Sequence, residues 1–246
     1  MTLALEVKSL CKSFGGLPAT NNVSLAIDAG ERRLIIGPNG AGKTTLFNLI
    51  TGDLPADSGS IRLFGDEVVR LRTDQRAQQG LARTYQIITL FPKDTLAHNV
   101  VLSLLGRSPT RWNALQPLAA RRDLYDQARA ILAGVGLESV AERALSQVSY
   151  GEKRRVEIAM ALAQQPKLLL LDEPLAGLSM EERQTVQALL AAIPRDITII
   201  MIEHDMDTAL AFAERITLLH YGKVIVEGTR AEVVAHPRTR EVYLGA

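Results

Sequence analysis

One nine-residue stretch constrains this chain more than any other: Gly37-Pro38-Asn39-Gly40-Ala41-Gly42-Lys43-Thr44-Thr45. It follows the apolar run Leu34-Ile35-Ile36 and precedes a segment with apolar residues at helical spacing. It therefore reads as the turn between a buried strand and a helix. Glycines at these positions let backbone N–H groups turn inward around phosphate oxygens without Cβ clashes, and a helix N-terminus adds partial positive charge there. Lys43 supplies a full charge toward the terminal phosphates, and the Thr44 hydroxyl suits Mg²⁺. A strand of this kind, buried on both faces, belongs in a largely parallel sheet covered by helices. The alternative is a glycine-rich turn that merely fits the spacing.

A second apolar run, Leu168 to Leu171, ends in Asp172-Glu173-Pro174. A buried strand with two terminal carboxylates delivers them to the sheet edge, where open α/β sheets bind ligands. Asp172 suits Mg²⁺, which prefers oxygen ligands and keeps part of its hydration shell. Glu173 points differently and is placed to polarise a water attacking a γ-phosphate. Taken alone, the pair is equally compatible with a solvated turn or a helix cap.

The remaining pattern organises the chain around these two strands. Leu5–Leu10 and Val23–Asp28 alternate with period two, and Ile197–Ile202 is another buried run. From Thr95 to about Gln165 the period is helical, with Leu124, Ala128, Ile131 and Leu132 on one face. Met180–Ile193 reads as a helix stopped by Pro194, and Tyr221-Gly222 as a hairpin turn. The expected division is a core of residues 1–86 and 166–246 with helices inserted at 87–165.

Composition narrows the function classes. Lys+Arg 28 against Asp+Glu 27 leaves a net charge of +1, which argues against a dedicated nucleic-acid binder. Cys11 is the single cysteine, so no intrachain disulfide forms. Glu6 and Lys8 interrupt the N-terminal apolar stretch, so it is no signal peptide. No apolar run approaches the roughly 20 residues of a membrane helix. The chain is expected not to span a membrane itself, which leaves a peripheral association open.

Val148-Ser149-Tyr150-Gly151-Glu152 precedes a helical segment. Ser149 and Glu152 have capping-box spacing, and a cap alone accounts for them. Their place shortly before the acidic strand, however, resembles the Leu-Ser-Gly-Gly-Gln signature motif of ATP-binding cassette (ABC) ATPases. The resemblance extends over Gly37–Gly52, Arg83–Asn99, Ser149–Leu178 and Ile202-Glu203-His204-Asp205-Met206. Within the family the chain is most similar to ATPase subunits of high-affinity branched-chain amino-acid importers. Its end, Val242-Tyr243-Leu244-Gly245, is also similar to the ATPase of a lipopolysaccharide exporter.

The resemblance implies an α/β fold: a P-loop NTPase core, an N-terminal antiparallel β subdomain and an inserted α-helical subdomain. It implies ATP and Mg²⁺ as cofactors, with residues Gly37 to Thr45 around the phosphates. Phe14 matches the aromatic that stacks on adenine, although a core or turn aromatic would look the same. Gln86 matches the glutamine that contacts Mg²⁺ or the attacking water. His204 matches the histidine that hydrogen-bonds the γ-phosphate, and a structural histidine is the alternative. Ser149 and Gly151 match the residues that bind the γ-phosphate of ATP held by a partner subunit, a role that suits a helix N-terminus. Implied partners are transmembrane permease subunits, a second ATPase subunit arranged head to tail and, indirectly, a periplasmic solute-binding protein. The implied location is the inner face of the cell membrane.

Tyr150 and Glu152 depart from the signature, and Ser179 stands where most of the family has aspartate. Ser179 is given no catalytic role. Competing readings are an exporter ATPase, a soluble ABC protein outside transport, and a nucleotide-binding scaffold without catalysis. The soluble proteins typically carry two cassettes or a coiled-coil insertion, which this chain lacks. Lys43, Asp172, Glu173 and His204 argue against the scaffold.

Overall fold

The apolar strand runs gather in one of two units of this computed structural model, while the helical stripes from Leu96 to Ala163 form the other. The structure describes residues 2–85, 91–108, 111, 117–203 and 212–244. The first unit comprises Met1–Arg83, Lys167–Pro174 and Ile193–Ala246, and the second Thr84–Pro166 and Leu175–Ala192.

In the first unit β1 (Leu3–Phe14) and β2 (Leu17–Asp28) form an antiparallel hairpin. Its turn, Gly15-Gly16, has positive φ at both residues, which glycine adopts without strain. They join β4 (Ser58–Leu63) and β5 (Asp66–Glu67) in a sheet of order β2-β1-β4-β5. The second sheet contains β3 (Arg32–Ile36), β6 (Leu81–Arg83), β7 (Leu168–Asp172), β8 (Thr198–Ile202), β9 (Arg215–His220) and β10 (Lys223–Thr229). Its order is β10-β9-β3-β8-β7-β6, and only the β9–β10 pair is antiparallel. Every residue of β3, β7 and β8 is buried, as apolar runs such as Leu168–Leu171 and Ile199–Ile202 require, and the two arginines that begin β3 are buried with them. Tyr221-Gly222 makes the β9–β10 turn, with both residues at positive φ.

Helix α1 (Lys43–Thr51) leaves the end of β3 through the glycine-rich loop and buries Leu46, Phe47, Leu49 and Ile50. Each such side chain contributes about 1.5–3 kcal/mol. The helix ends at Gly52, which is left-handed. Buried Arg76 of α2 (Thr73–Gln78) donates to the Leu49 and Ile50 carbonyls at 2.6 and 2.7 Å, satisfying acceptors that a helix end leaves open. Helices α7 (Arg230–Ala235) and α8 (Pro237–Leu244) close the chain.

The second unit is helical: α3 (Leu96–Arg107), α4 (Arg122–Gly134), α5 (Tyr150–Ala163) and α6 (Met180–Ala192), with short 3-10 turns between. Leu124, Ala128 and Leu132 of α4 are buried with Leu96, Val100, Val156 and Ala159, and Ile131 packs against that cluster. Leu189 of α6 packs there too. Among the described residues no helix is long and apolar enough to cross a membrane.

Candidate functional site

The loop between β3 and α1 is moulded by three distant backbone segments. Gly37 has φ 152°, and a Cβ there would run into the Leu219 carbonyl of β9. Gly42 has φ 100°, and its Cβ would meet the Ala19 carbonyl of β2. Gly222 in the β9–β10 turn donates its N–H to the Ala41 carbonyl at 2.9 Å and accepts from the Asn21 N–H at 2.7 Å. A Cβ on Gly222 would lie 2.7 Å from the Ala19 carbonyl. Gly40, by contrast, has open space around it and needs glycine for its φ of 79°. The loop conformation is thus dictated from outside as well as by its own glycines.

Lys43 is the first residue of α1 and is buried; its Nζ donates to the Gly37 and Pro38 carbonyls at 2.6 and 3.1 Å. Burial draws its ammonium below the ordinary lysine range, while the Glu173 and Asp172 carboxylates oppose that shift. Thr44, Asn39 and Gly40 are exposed, and Pro38 and Thr45 half-buried. Lysine charge and a helix N-terminus therefore meet at one glycine-rich loop.

Asp172 ends β7 fully buried, and Arg83 at the end of the neighbouring β6 donates to its Oδ2 at 2.7 Å. The same guanidinium donates to Asn48 Oδ1 of α1 at 2.7 Å, pairs with Asp53 at 3.4 Å, and lies 5.4 Å from the Phe47 ring centroid. Arg83 therefore ties the helix that starts at the phosphate loop to the acidic strand. Sequence reasoning missed it; a cation ending an apolar strand segment was the available signal. Glu173 is half-buried and left-handed at φ 48°, with its N–H bonded to the Ile202 carbonyl of β8 at 2.9 Å. Such a backbone costs about 1–3 kcal/mol in a residue with a side chain.

These residues fit a nucleotide and its magnesium ion. The Lys43 ammonium at the N-terminus of α1 suits phosphate groups, and the oxygen donors, Thr44 and Asp172, are of the type Mg²⁺ takes. Among the described residues no three His, Cys, Asp or Glu side chains cluster as a metal cage.

Phe14, half exposed at the tip of the β1–β2 hairpin, is not a core aromatic. Lys12 lies 5.8 Å from its ring centroid and is itself paired with Asp57 at 2.7 Å. An exposed ring of this kind offers a face for a planar base. Gln86 and His204 lie outside the described residues.

In the helical unit Ser149 caps α5. Its Oγ accepts from the Glu152 N–H at 3.2 Å, and its own N–H donates to Glu152 Oε2 at 2.7 Å. The capping-box reading therefore holds. The Tyr150 ring is 42% exposed, so this bulky replacement in the signature stands outward instead of filling the turn. Glu182 of α6, which sequence reasoning passed over, reaches the same helix end. Its Oε1 accepts from the Gly151 N–H at 3.1 Å and the Ser149 Oγ at 3.4 Å. Its Oε2 accepts from the Ser179 N–H at 3.1 Å. The Ser179-x-x-Glu182 spacing was the signal available for it.

A family profile described as ABC transporter matches residues 20–176, which include the phosphate loop, the signature segment and the acidic strand. The chain belongs to the ABC transporter family. Across its length the cassette is 35% identical to the high-affinity branched-chain amino acid transport ATP-binding protein BraF of Pseudomonas aeruginosa, covering 98% of this chain and 97% of BraF. A nucleotide-free ATP-binding cassette from an ABC transporter superposes with a TM-score of 0.89 at 28% identity, covering 99% of this chain and all of that one. A dimeric cassette in a post-hydrolysis state, bound to ADP and Pi, superposes with a TM-score of 0.79 at 27% identity, over 92% and 98% of the two chains. The ABC fold expected from the sequence, with its antiparallel β sheet, mostly parallel sheet and helical segment, is the fold observed.

Proposed function

We propose that this cassette is the ATP-binding and ATP-hydrolysing subunit of an importer for branched-chain or related amino acids. The carrying observation is the phosphate loop on β3, moulded by Leu219, Ala19 and Gly222, in one sheet with the β7 end that holds Asp172 and Glu173. The similarity to BraF supports the substrate class.

In this reading the loop amides and Lys43 bind the β- and γ-phosphates, and Phe14 stacks on the adenine. Thr44 and Asp172 would hold the magnesium ion, which when bound would neutralise phosphate charge. Glu173 orients the attacking water and takes its proton as the oxygen adds to the γ-phosphorus, the bond from that phosphorus to the β–γ bridging oxygen breaks, and ADP and phosphate leave. Gln86 and His204 complete the γ-phosphate surroundings. Ser149 and Gly151 serve the nucleotide of a second ATPase subunit, so that ATP closes a head-to-tail dimer. The dimeric cassette with ADP and Pi is consistent with that assembly. Closure drives transmembrane permease subunits, which hold the chain at the inner face of the membrane and receive solute from a periplasmic binding protein.

The test is isolation of the complex from its native membrane, with identification of its subunits and of the solute that stimulates ATP hydrolysis. Two permease subunits and stimulation by a loaded amino-acid-binding protein are expected. Co-isolation with lipopolysaccharide-export components would overturn the importer reading and support an exporter.

A further inference from the structure

The Glu182 carboxylate occupies donors that the proposed function gives to a phosphate. Two helix N-termini, those of α5 and α6, meet at this one side chain. Oε2 takes the Ser179 N–H at 3.1 Å, and the Glu182 N–H in turn donates to the Ser179 Oγ at 3.3 Å. That half of the carboxylate is explained by capping α6. Oε1 is not needed for the cap. It lies 3.1 Å from the Gly151 nitrogen and 3.4 Å from the Ser149 Oγ, and a Cβ on Gly151 would fall on top of it. Gly151 is buried and has helical backbone, so the missing side chain there admits the Glu182 carboxylate rather than serving a special φ. These donors hold the Glu182 carboxyl below the ordinary glutamate range, the two bonds to Ser179 contributing most.

We propose that Glu182 is an internal stand-in for the partner's γ-phosphate, occupying the signature donors until an incoming nucleotide displaces it. The inference rests on the reading of Ser149 and Gly151 as a site completed by a second subunit. A helix N-terminus has one set of outward N–H groups, and two anions brought to it repel each other. Oε1 must therefore leave as phosphate arrives. Oε2 can keep its bond to Ser179 while the carboxylate turns, so α6 retains its cap during the exchange. The consequence is a threshold: nucleotide that is weakly or wrongly held does not displace the carboxylate, and the dimer closes only on a well-placed triphosphate.

The experiment uses the intact transporter containing the full chain and measures nucleotide trapped by orthovanadate against ATP concentration. Glu182→Gln keeps the size and an acceptor oxygen but loses the charge, which roughly halves the strength of the competing bonds. It should lower the half-saturating ATP concentration about three- to tenfold. Glu182→Ala, which also removes the competitor, should shift the curve the same way. An unchanged or raised ATP requirement in Glu182→Gln overturns the stand-in. Ser149→Arg in the same complex separates the two layers of inference. Loss of occlusion in that variant upholds the shared site, whereas wild-type occlusion there overturns the shared site and the stand-in with it.

Discussion

Arg83 offers the most exacting test of the site's architecture. Its guanidinium is almost fully buried and is the bonded cation of a fully buried carboxylate, Asp172, at 2.7 Å. Replacement by methionine keeps much of the apolar volume and removes the charge. Breaking a buried pair by deleting one partner costs about 3–5 kcal/mol, because the other charge stays desolvated. Asp53, 30% exposed and 3.4 Å away, keeps some hydration and adds at most about 1 kcal/mol. The Asn48 acceptor and the Phe47 ring lose a partner as well, so the lower bound near 3 kcal/mol is the safer figure. With a urea slope of about 2 kcal/mol per M, the unfolding midpoint of Arg83→Met should fall by about 1.5 M. The origin of the loss is checked by a double-mutant cycle. In an Asp172→Asn background no buried charge is stranded, so the same substitution should cost at least about 1.5 kcal/mol less. A loss below about 1 kcal/mol, or equal losses in both backgrounds, would refute the idea that one guanidinium keeps the acidic strand end in place.

Four further outcomes follow from the same geometry. Lys43→Ala should weaken ATP binding about 10- to 100-fold in equilibrium titration, since charge-assisted bonds to phosphate disappear; unchanged affinity counts against the phosphate loop. Glu173→Gln should bind ATP normally and lose on the order of 10²-fold or more in turnover, and a near-wild-type rate would mean that this carboxylate is not the base. Gly222→Ala forces a Cβ to within 2.7 Å of the Ala19 carbonyl and should raise the ATP Kd about tenfold through the loop it braces; a Kd within twofold of wild type would contradict that bracing. Where two copies pair, mixing Lys43→Ala with Ser149→Arg protein should restore one occluded site per mixed dimer. Mixed dimers that trap no nucleotide would rule out sites shared between subunits.

The parts of the site legible in the sequence are those whose chemistry is local. Gly37 to Thr45 and Leu168 to Glu173 announce themselves because strand, turn and helix signals are contiguous with the reactive groups. The Ser149–Glu152 cap was likewise readable from a three-residue spacing, and both of its bonds are present. The contacts that brace the site are different in kind. Arg83 reaches Asp172 across 89 positions and Asn48 across 35. Glu182 reaches Gly151 across 31, and the Leu219 carbonyl meets Gly37 from a strand near the other end of the chain. No periodicity encodes such pairings, since they depend on which strands become neighbours. The same holds for α6. Its own spacing marks a helix, but contacts made at a distance, Leu189 on the α3–α5 core and Glu182 on the start of α5, assign it to the helical unit.

The order of strands in the mostly parallel sheet also acts as a ruler. β8 lies between β3, which launches the phosphate loop, and β7, which ends in Asp172. Adjacent strands are about 4.8 Å apart, so one intervening strand sets the two ends roughly 10 Å apart. One strand of separation leaves room between the two ends on the scale of a phosphate group. The central strand, which contributes no side chain to the chemistry within its own span, thereby sets the size of what can be bound between the two ends.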